Sequence, residues 1–137
     1  MKWLHSMRVK ACVLAGFAAF SMSSGMAQQA PSVPQAKTEL LWLGQAGFRI
    51  KTPGGQNIVI DPWLTGGPKT PAPYKTDIAA LGKVDLLLVT HAHVDHIGDA
   101  PALAKLHKTV LYGPADMITP LITLGVMPAE LTHRFNK

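Results

Sequence analysis

His91-Ala92-His93-Val94-Asp95-His96 places three imidazoles and one carboxylate within six consecutive residues. Side chains of these types share one chemical capacity, the donation of lone pairs to a divalent cation. Imidazole and carboxylate together suit zinc, with manganese or iron also compatible. The chain holds six histidines in all, and half of them fall in this short segment. A lone histidine after a strand is ordinary surface polarity, whereas four donors in one loop point to a metal. The single cysteine, Cys12, lies far upstream, so a thiolate site is not expected.

Such donors need a stiff platform, and the preceding segment predicts one. Asp85–Thr90 contains the continuous apolar run Leu86-Leu87-Leu88-Val89, which reads as a strand buried on both faces of a layered α/β domain. Ligands at the C-terminal end of such a strand are held by the sheet while the loop wraps an ion. Upstream, Glu39–Leu43 reads as a short strand. Residues 47–60 form a hairpin of two more strands, turning at Pro53-Gly54-Gly55. Thr65–Thr76 is rich in glycine and proline and reads as a long surface loop. Asp77–Leu81 predicts one or two helical turns, with Thr76 as cap and Gly82 as stop. Downstream, Asp99 is expected to cap a helix running through Lys108, with Pro101 in its first turn. Thr109–Tyr112 then reads as a strand and Pro114–Leu124 as a helix ended by Gly125. Among the other histidines, His107 sits near a helix end, His133 lies in a polar surface stretch beside Arg134, and neither is expected to bind metal.

The pattern His-x-His-x-Asp-His after a strand resembles the signature of the metallo-β-lactamase superfamily, matched at His91, His93, Asp95 and His96. Trp42-Leu43-Gly44-Gln45-Ala46-Gly47-Phe48 and Ile60-Asp61-Pro62-Trp63-Leu64 further resemble a branch of metal-dependent hydrolases related to ascorbate-phosphate lactonase and N-acylethanolamine phospholipase D. The resemblance covers residues 39–137. It implies an α/β fold class, the N-terminal half of a four-layer αβ/βα metallo-β-lactamase fold. It also implies that His91 and His93 bind a first ion and that Asp95 and His96 bind a second, where these two are the candidate catalytic residues. Asp61 would lie below the metals and orient a ligand histidine through its second ring nitrogen, although a turn cap in Asp61-Pro62 is the plainer alternative. Trp63 would either line the pocket or pack as a core aromatic.

The activity implied is hydrolysis by a metal-generated hydroxide of a small-molecule lactone, phosphodiester or related ester, with one or two zinc ions as cofactor. The family uses further ligands downstream of the region matched here: a later histidine, an acidic bridge and a final histidine. Two ligands per ion fall short of the three protein ligands usual for catalytic zinc. The 137-residue chain is therefore expected to be a truncated hydrolase, inactive alone and carrying an uncovered apolar face. The alternative from a different class is an exported noncatalytic metal-binding or interaction module, its half-site completed by a partner or a second copy.

Residues 1–27 have the layout of a signal peptide. Lys2, Arg8 and Lys10 precede an apolar stretch from Ala11 to Phe20, and Gly25-Met26-Ala27 suits cleavage after Ala27. Ten apolar residues fall short of the roughly 20 that span a bilayer, so no stable membrane anchor is expected after cleavage. The expected location is periplasmic or secreted. Cleavage would also remove three positive charges from a formal net charge of +5, leaving too little to argue for a nucleic-acid partner. Residues 28–38, with Pro31 and Pro34, read as a flexible lead-in, and one folded domain is expected over 39–137.

Overall fold

The computed structural model describes residues 37–136. The expected signal peptide at 1–27, and all but the end of the lead-in at 28–38, lie outside the described residues. Strands β1 (Glu39–Gly44), β2 (Gly47–Lys51) and β3 (Asn57–Ile60) form an antiparallel meander. The tight link from β1 to β2 depends on Gly44. Its φ is 97°, and a Cβ there would lie 2.9 Å from the Lys69 carbonyl carbon. A side chain would meet both an unfavourable backbone region and a neighbouring main chain.

Three more strands join β3 in parallel: β4 (Leu86–Leu88), β5 (Leu111–Pro114) and β6 (Thr132–Phe135). They complete a six-stranded sheet whose spatial order follows the sequence. The described helices are α1 (Ala72–Thr76), α2 (Val94–Ile97), α3 (Ala100–His107) and α4 (Ala115–Thr123), with 3-10 turns at Ile78–Leu81 and Ala129–Leu131. Leu103 and Ala104 of α3 and Met117 and Ile118 of α4 share one buried core with Val59, Leu87 and Leu111 from the sheet. Those three sheet residues are directly paired across the strands, so they lie on the same face.

The expectation that β4 is buried on both faces needs correction. Leu87 and Val89 are buried, but Leu86 and Leu88 are only half-buried. The reason is visible in the strand register. Trp42, Phe48, Ile60, Leu88 and Tyr112 pair in turn across five strands, forming an apolar row on the face opposite α3 and α4. None of these five is buried, and Trp42 is 49% exposed. A second row, Leu40, Ile50, Ile58 and Leu86, runs beside it on the same face. Among the described residues the sheet is covered on one side only, and the other presents a broad apolar surface.

Four local expectations also change. α1 lies within the segment read as loop. The cap of the 78–81 turn is Asp77, whose side chain accepts from the Ala79 N–H at 2.9 Å, rather than Thr76. Asp99 stands before α3, but its side chain makes no capping bond because it is committed to residues 64 and 65. Finally, Thr132–Phe135 is a strand, although it was read as part of a polar surface stretch. It lies beyond β5 at the edge of the sheet and is mostly exposed, so it lacks the apolar run that marks a central strand.

Candidate metal centre

β3 and β4 end side by side, and everything at the site leaves from those two ends. Asp61 follows β3 directly, and its N–H donates to the Leu88 carbonyl at 3.0 Å. It adopts φ 45°, in the left-handed region that costs a non-glycine residue about 1–2 kcal/mol. Such a conformation persists when surrounding bonds over-determine it. Here those bonds are made by the carboxylate, whose side chain is 4% exposed. Oδ1 accepts from the Thr90 N–H at 2.7 Å, and Oδ2 accepts from the Thr90 hydroxyl at 2.8 Å. His96 Nδ1 lies 2.9 Å from the same Oδ2. Since a carboxylate can only accept, His96 carries its proton on Nδ1 and leaves the Nε2 lone pair free.

Past Thr90 the chain runs through His91 to His93 and turns once through α2. The N–H groups of His96 and Ile97 both donate to the His93 carbonyl at 3.0 Å, which sets Asp95 and His96 on that turn. His91 Nε2 faces His93 Nδ1 at 2.9 Å, and Asp95 Oδ2 lies 3.8 Å from His96 Nε2. The rings of His91 and His96 are 4.0 Å apart between centroids, so the two donor pairs adjoin. His91, Asp95 and His96 are half-buried and His93 is exposed. The four residues singled out by their spacing are thus brought together, with Asp61 beneath them.

The donor spacing allows a direct test of fit. Two nitrogens bound to a tetrahedral zinc at about 2.0–2.1 Å stand about 3.3–3.4 Å apart. The His91–His93 pair is closer than that by a few tenths of an ångström, as expected where a proton rather than an ion joins the two nitrogens. The Asp95–His96 pair is wider by a similar margin. The spacings of the two pairs therefore bracket that of a zinc site. Among the described residues, no three His, Cys, Asp or Glu side chains are already grouped around one ion.

Three residues that sequence reasoning did not place at the site help to build it. Thr90 supplies both a backbone and a side-chain donor to Asp61. Asp99 accepts from the N–H groups of Leu64 and Thr65 and from the Thr65 hydroxyl, while its own N–H donates to Pro62 at 2.8 Å. It thereby ties the turn after Asp61 to the segment after His96. Gly98 lies against the Trp63 ring, where a Cβ would fall 2.5 Å from Cδ1. Trp63 packs against Gly66 and Gly98 and is half-buried, which favours the packing role over the pocket-lining one. A hydroxyl next to the first histidine was the available signal for Thr90. Asp99 and Leu64 are 35 residues apart, and no local pattern announces their contact. His107 ends α3 with Nε2 buried, and His133 is exposed on β6 with its ring 4.9 Å from Tyr112, so neither joins the cluster.

The family model for the β-lactamase superfamily domain matches residues 56–136. A UPF0173 metal-dependent hydrolase of Polynucleobacter asymbioticus is 72% identical over 112 residues, covering 81% of this chain and 39% of the relative. One from Cupriavidus necator is 57% identical over 101 residues, covering 74% of this chain and 35% of the relative. Among solved structures, Igni18, a metallo hydrolase from the hyperthermophilic archaeon Ignicoccus hospitalis, is 28% identical with a TM-score of 0.55. The match covers 72% of this chain and 40% of that one. The chain spans about two fifths of the length of the curated relatives it matches.

Proposed function

The chain belongs to the β-lactamase superfamily, and on that premise we propose that it carries the first part of a binuclear metal centre of an exported ester hydrolase. His91 and His93 would hold one ion, and Asp95 and His96 the other, with zinc the preferred metal. The observation that carries this reading is the meeting of two donor pairs above one buried carboxylate, with the rings of His91 and His96 4.0 Å apart. Bound there, zinc would supply Lewis-acid polarisation of the substrate and a water nucleophile effective at neutral pH. The chain's own residues contribute orientation. Asp61 holds the proton on His96 Nδ1 and keeps Nε2 available, and the turn of α2 keeps Asp95 next to that nitrogen.

Two donors per ion are fewer than the three that catalytic zinc usually takes from protein. The remaining donors would come from outside the described residues. A lactone, a phosphodiester or a related small-molecule ester is the proposed substrate, on the resemblance of the Trp42–Phe48 and Ile60–Leu64 segments. Export to the periplasm is proposed from the charge and hydropathy pattern of residues 1–27.

The test is zinc content after equilibration and desalting, comparing wild type with His93→Ala. Loss of a directly bound ligand is expected to remove about one ion per chain and to abolish most hydrolysis in the complete protein. Unchanged zinc content in the variant would eliminate the assignment. Size-exclusion mass with and without zinc separates the noncatalytic alternative, for which a zinc-dependent dimer is the signature.

A further inference from the structure

Thr90 sits directly before the first histidine, and its hydroxyl touches three side chains. The oxygen lies 2.8 Å from Asp61 Oδ2, 3.0 Å from His91 Nδ1 and 3.2 Å from His96 Nδ1. The direction of each bond follows from counting protons. An ionised carboxylate only accepts, so the single hydroxyl proton of Thr90 goes to Asp61. The oxygen is then left with lone pairs alone. His96 gives its Nδ1 proton to Asp61, the nearer acceptor at 2.9 Å. The free lone pairs on Thr90 therefore receive the Nδ1 proton of His91.

That bond fixes the tautomer of His91. With the proton on Nδ1, the Nε2 lone pair is exposed on the side facing His93. A single buried acid thus sets two rings, His96 directly and His91 through the threonine. The two rings belong to different donor pairs. We infer that Thr90 is a positioning residue that holds His91 in its ligating tautomer by passing the hold of the buried Asp61 carboxylate on to the first donor pair. This rests on the metal reading proposed above.

The competing explanation is a hydroxyl that merely ends a strand. In that case its removal would leave both histidine tautomers and zinc binding unchanged. The variants are Thr90→Val, which keeps the shape and removes the hydroxyl, and Thr90→Ser, which keeps the hydroxyl. In zinc-free full chain at about pH 8, where histidines are ordinarily neutral, long-range proton–nitrogen correlation spectra report the tautomer of each ring. Wild type and Thr90→Ser are expected to show His91 as the Nδ1–H form. Thr90→Val is expected to show a mixture or the Nε2–H form, with exposed His133 unchanged as an internal control. Competition with a chromophoric chelator should then show Thr90→Val weakening one zinc equivalent by about 10–100-fold, the usual cost of losing a residue that orients a ligand, and Thr90→Ser restoring it.

The inference is overturned if Thr90→Val keeps His91 as Nδ1–H, or if neither zinc equivalent weakens. Failure of wild type to bind zinc at all would sink the metal reading instead, and the tautomer spectra would still decide what Thr90 does. Should Thr90→Val fail to fold, Thr90→Ala takes its place: a His91 that stays Nδ1–H in that variant overturns the inference, and a mixture or the Nε2–H form supports it.

Discussion

β3 and β4 are tied together by a carboxylate at each end of the pair, Asp85 at the start and Asp61 at the finish. The bonding is closely parallel. Asp85 accepts from the Asn57 N–H at 2.9 Å and returns its own N–H to the Asn57 carbonyl at 2.8 Å. Asp61 accepts from the Thr90 N–H at 2.7 Å and gives its own N–H to Leu88 at 3.0 Å. The remaining partners separate the two. Asp85 is exposed, has an extended neighbour strand, and spends its second oxygen on Lys83, an ammonium that is 79% exposed. Asp61 is buried in a left-handed conformation and spends its second oxygen on a hydroxyl and an imidazole. One device therefore serves two ends of the strand pair, and only the Asp61 end combines a left-handed backbone with an imidazole partner. A cleft of about 290 Å³ lies at the Asp85 end, lined by Lys83, His107 and Lys108 among others. That cleft lies at the opposite end of the strand pair from the candidate donors.

The sharpest way to break this contrast is to truncate both acids. Asp61→Ala leaves the Thr90 N–H and the His96 Nδ1–H without their acceptor. It also keeps alanine in a left-handed conformation that aspartate tolerates better. At about 1–3 kcal/mol for each stranded donor, urea unfolding should show a loss of about 2–6 kcal/mol. Zinc affinity should fall by about 10–100-fold. Asp85→Ala should destabilise less and leave zinc affinity as it was. Equal losses from the two variants, or zinc binding that ignores Asp61, would erase the distinction between the ends.

A smaller effect should follow from Gly98→Ala, which probes how the ligand turn is packed rather than how it is bonded. The added Cβ would lie 2.5 Å from Trp63 Cδ1 and 2.9 Å from the Val94 carbonyl oxygen. The indole also lies against Gly66, and the carbonyl is part of α2 itself. Overpacking of this kind typically costs about 1–3 kcal/mol. The same substitution at Gly55, where a Cβ meets nothing within 4 Å, would carry only the cost of its φ of 84°. If Gly98→Ala proves as stable as wild type and binds zinc equally, Trp63 is not what seats the turn.

Sequence reasoning singled out the four candidate donors at residues 91–96 and the strands from 39 to 60 because each carries a local signature, four potential ligands in six positions or alternation bounded by glycine and proline, whereas Asp61 was singled out by the family resemblance. The uncovered apolar face was expected from the family resemblance alone, and the register of Leu40, Trp42, Phe48 and Ile50 shows which residues form it. What escaped depends on neighbours remote in sequence. Asp99 looks like a helix cap by position, and only the return of the chain at Leu64 and Thr65 reveals where its carboxylate goes. β6 is polar because it lies at the sheet edge, so its composition resembles a loop. The double burial expected of β4 came from reading an apolar run without knowing what covers each face. Thr90 was overlooked for a different reason: its importance lies in proton direction, which a string of residue types does not encode.

The smallest expected effect sharpens the comparison from the Asp85 side. The Lys83 hydrogen bond, followed by the Asn57 backbone N–H, holds the Asp85 carboxyl below its ordinary value. A folded-state depression means that the unfolded chain takes up a proton first as the pH falls, so the ionised form favours folding. The contribution is therefore complete above the ordinary carboxylate range, near about 3.9, and disappears as pH drops through the lower folded value. The urea midpoint of wild type should exceed that of Asp85→Asn at about pH 7 and converge on it in strong acid. Because Lys83 is largely exposed, about 1 M salt should narrow the gap at neutral pH as well. A gap that stays constant through acid would mean that Asp85 serves the sheet by shape and not by charge. The contrast with Asp61 would then rest on burial and partners alone.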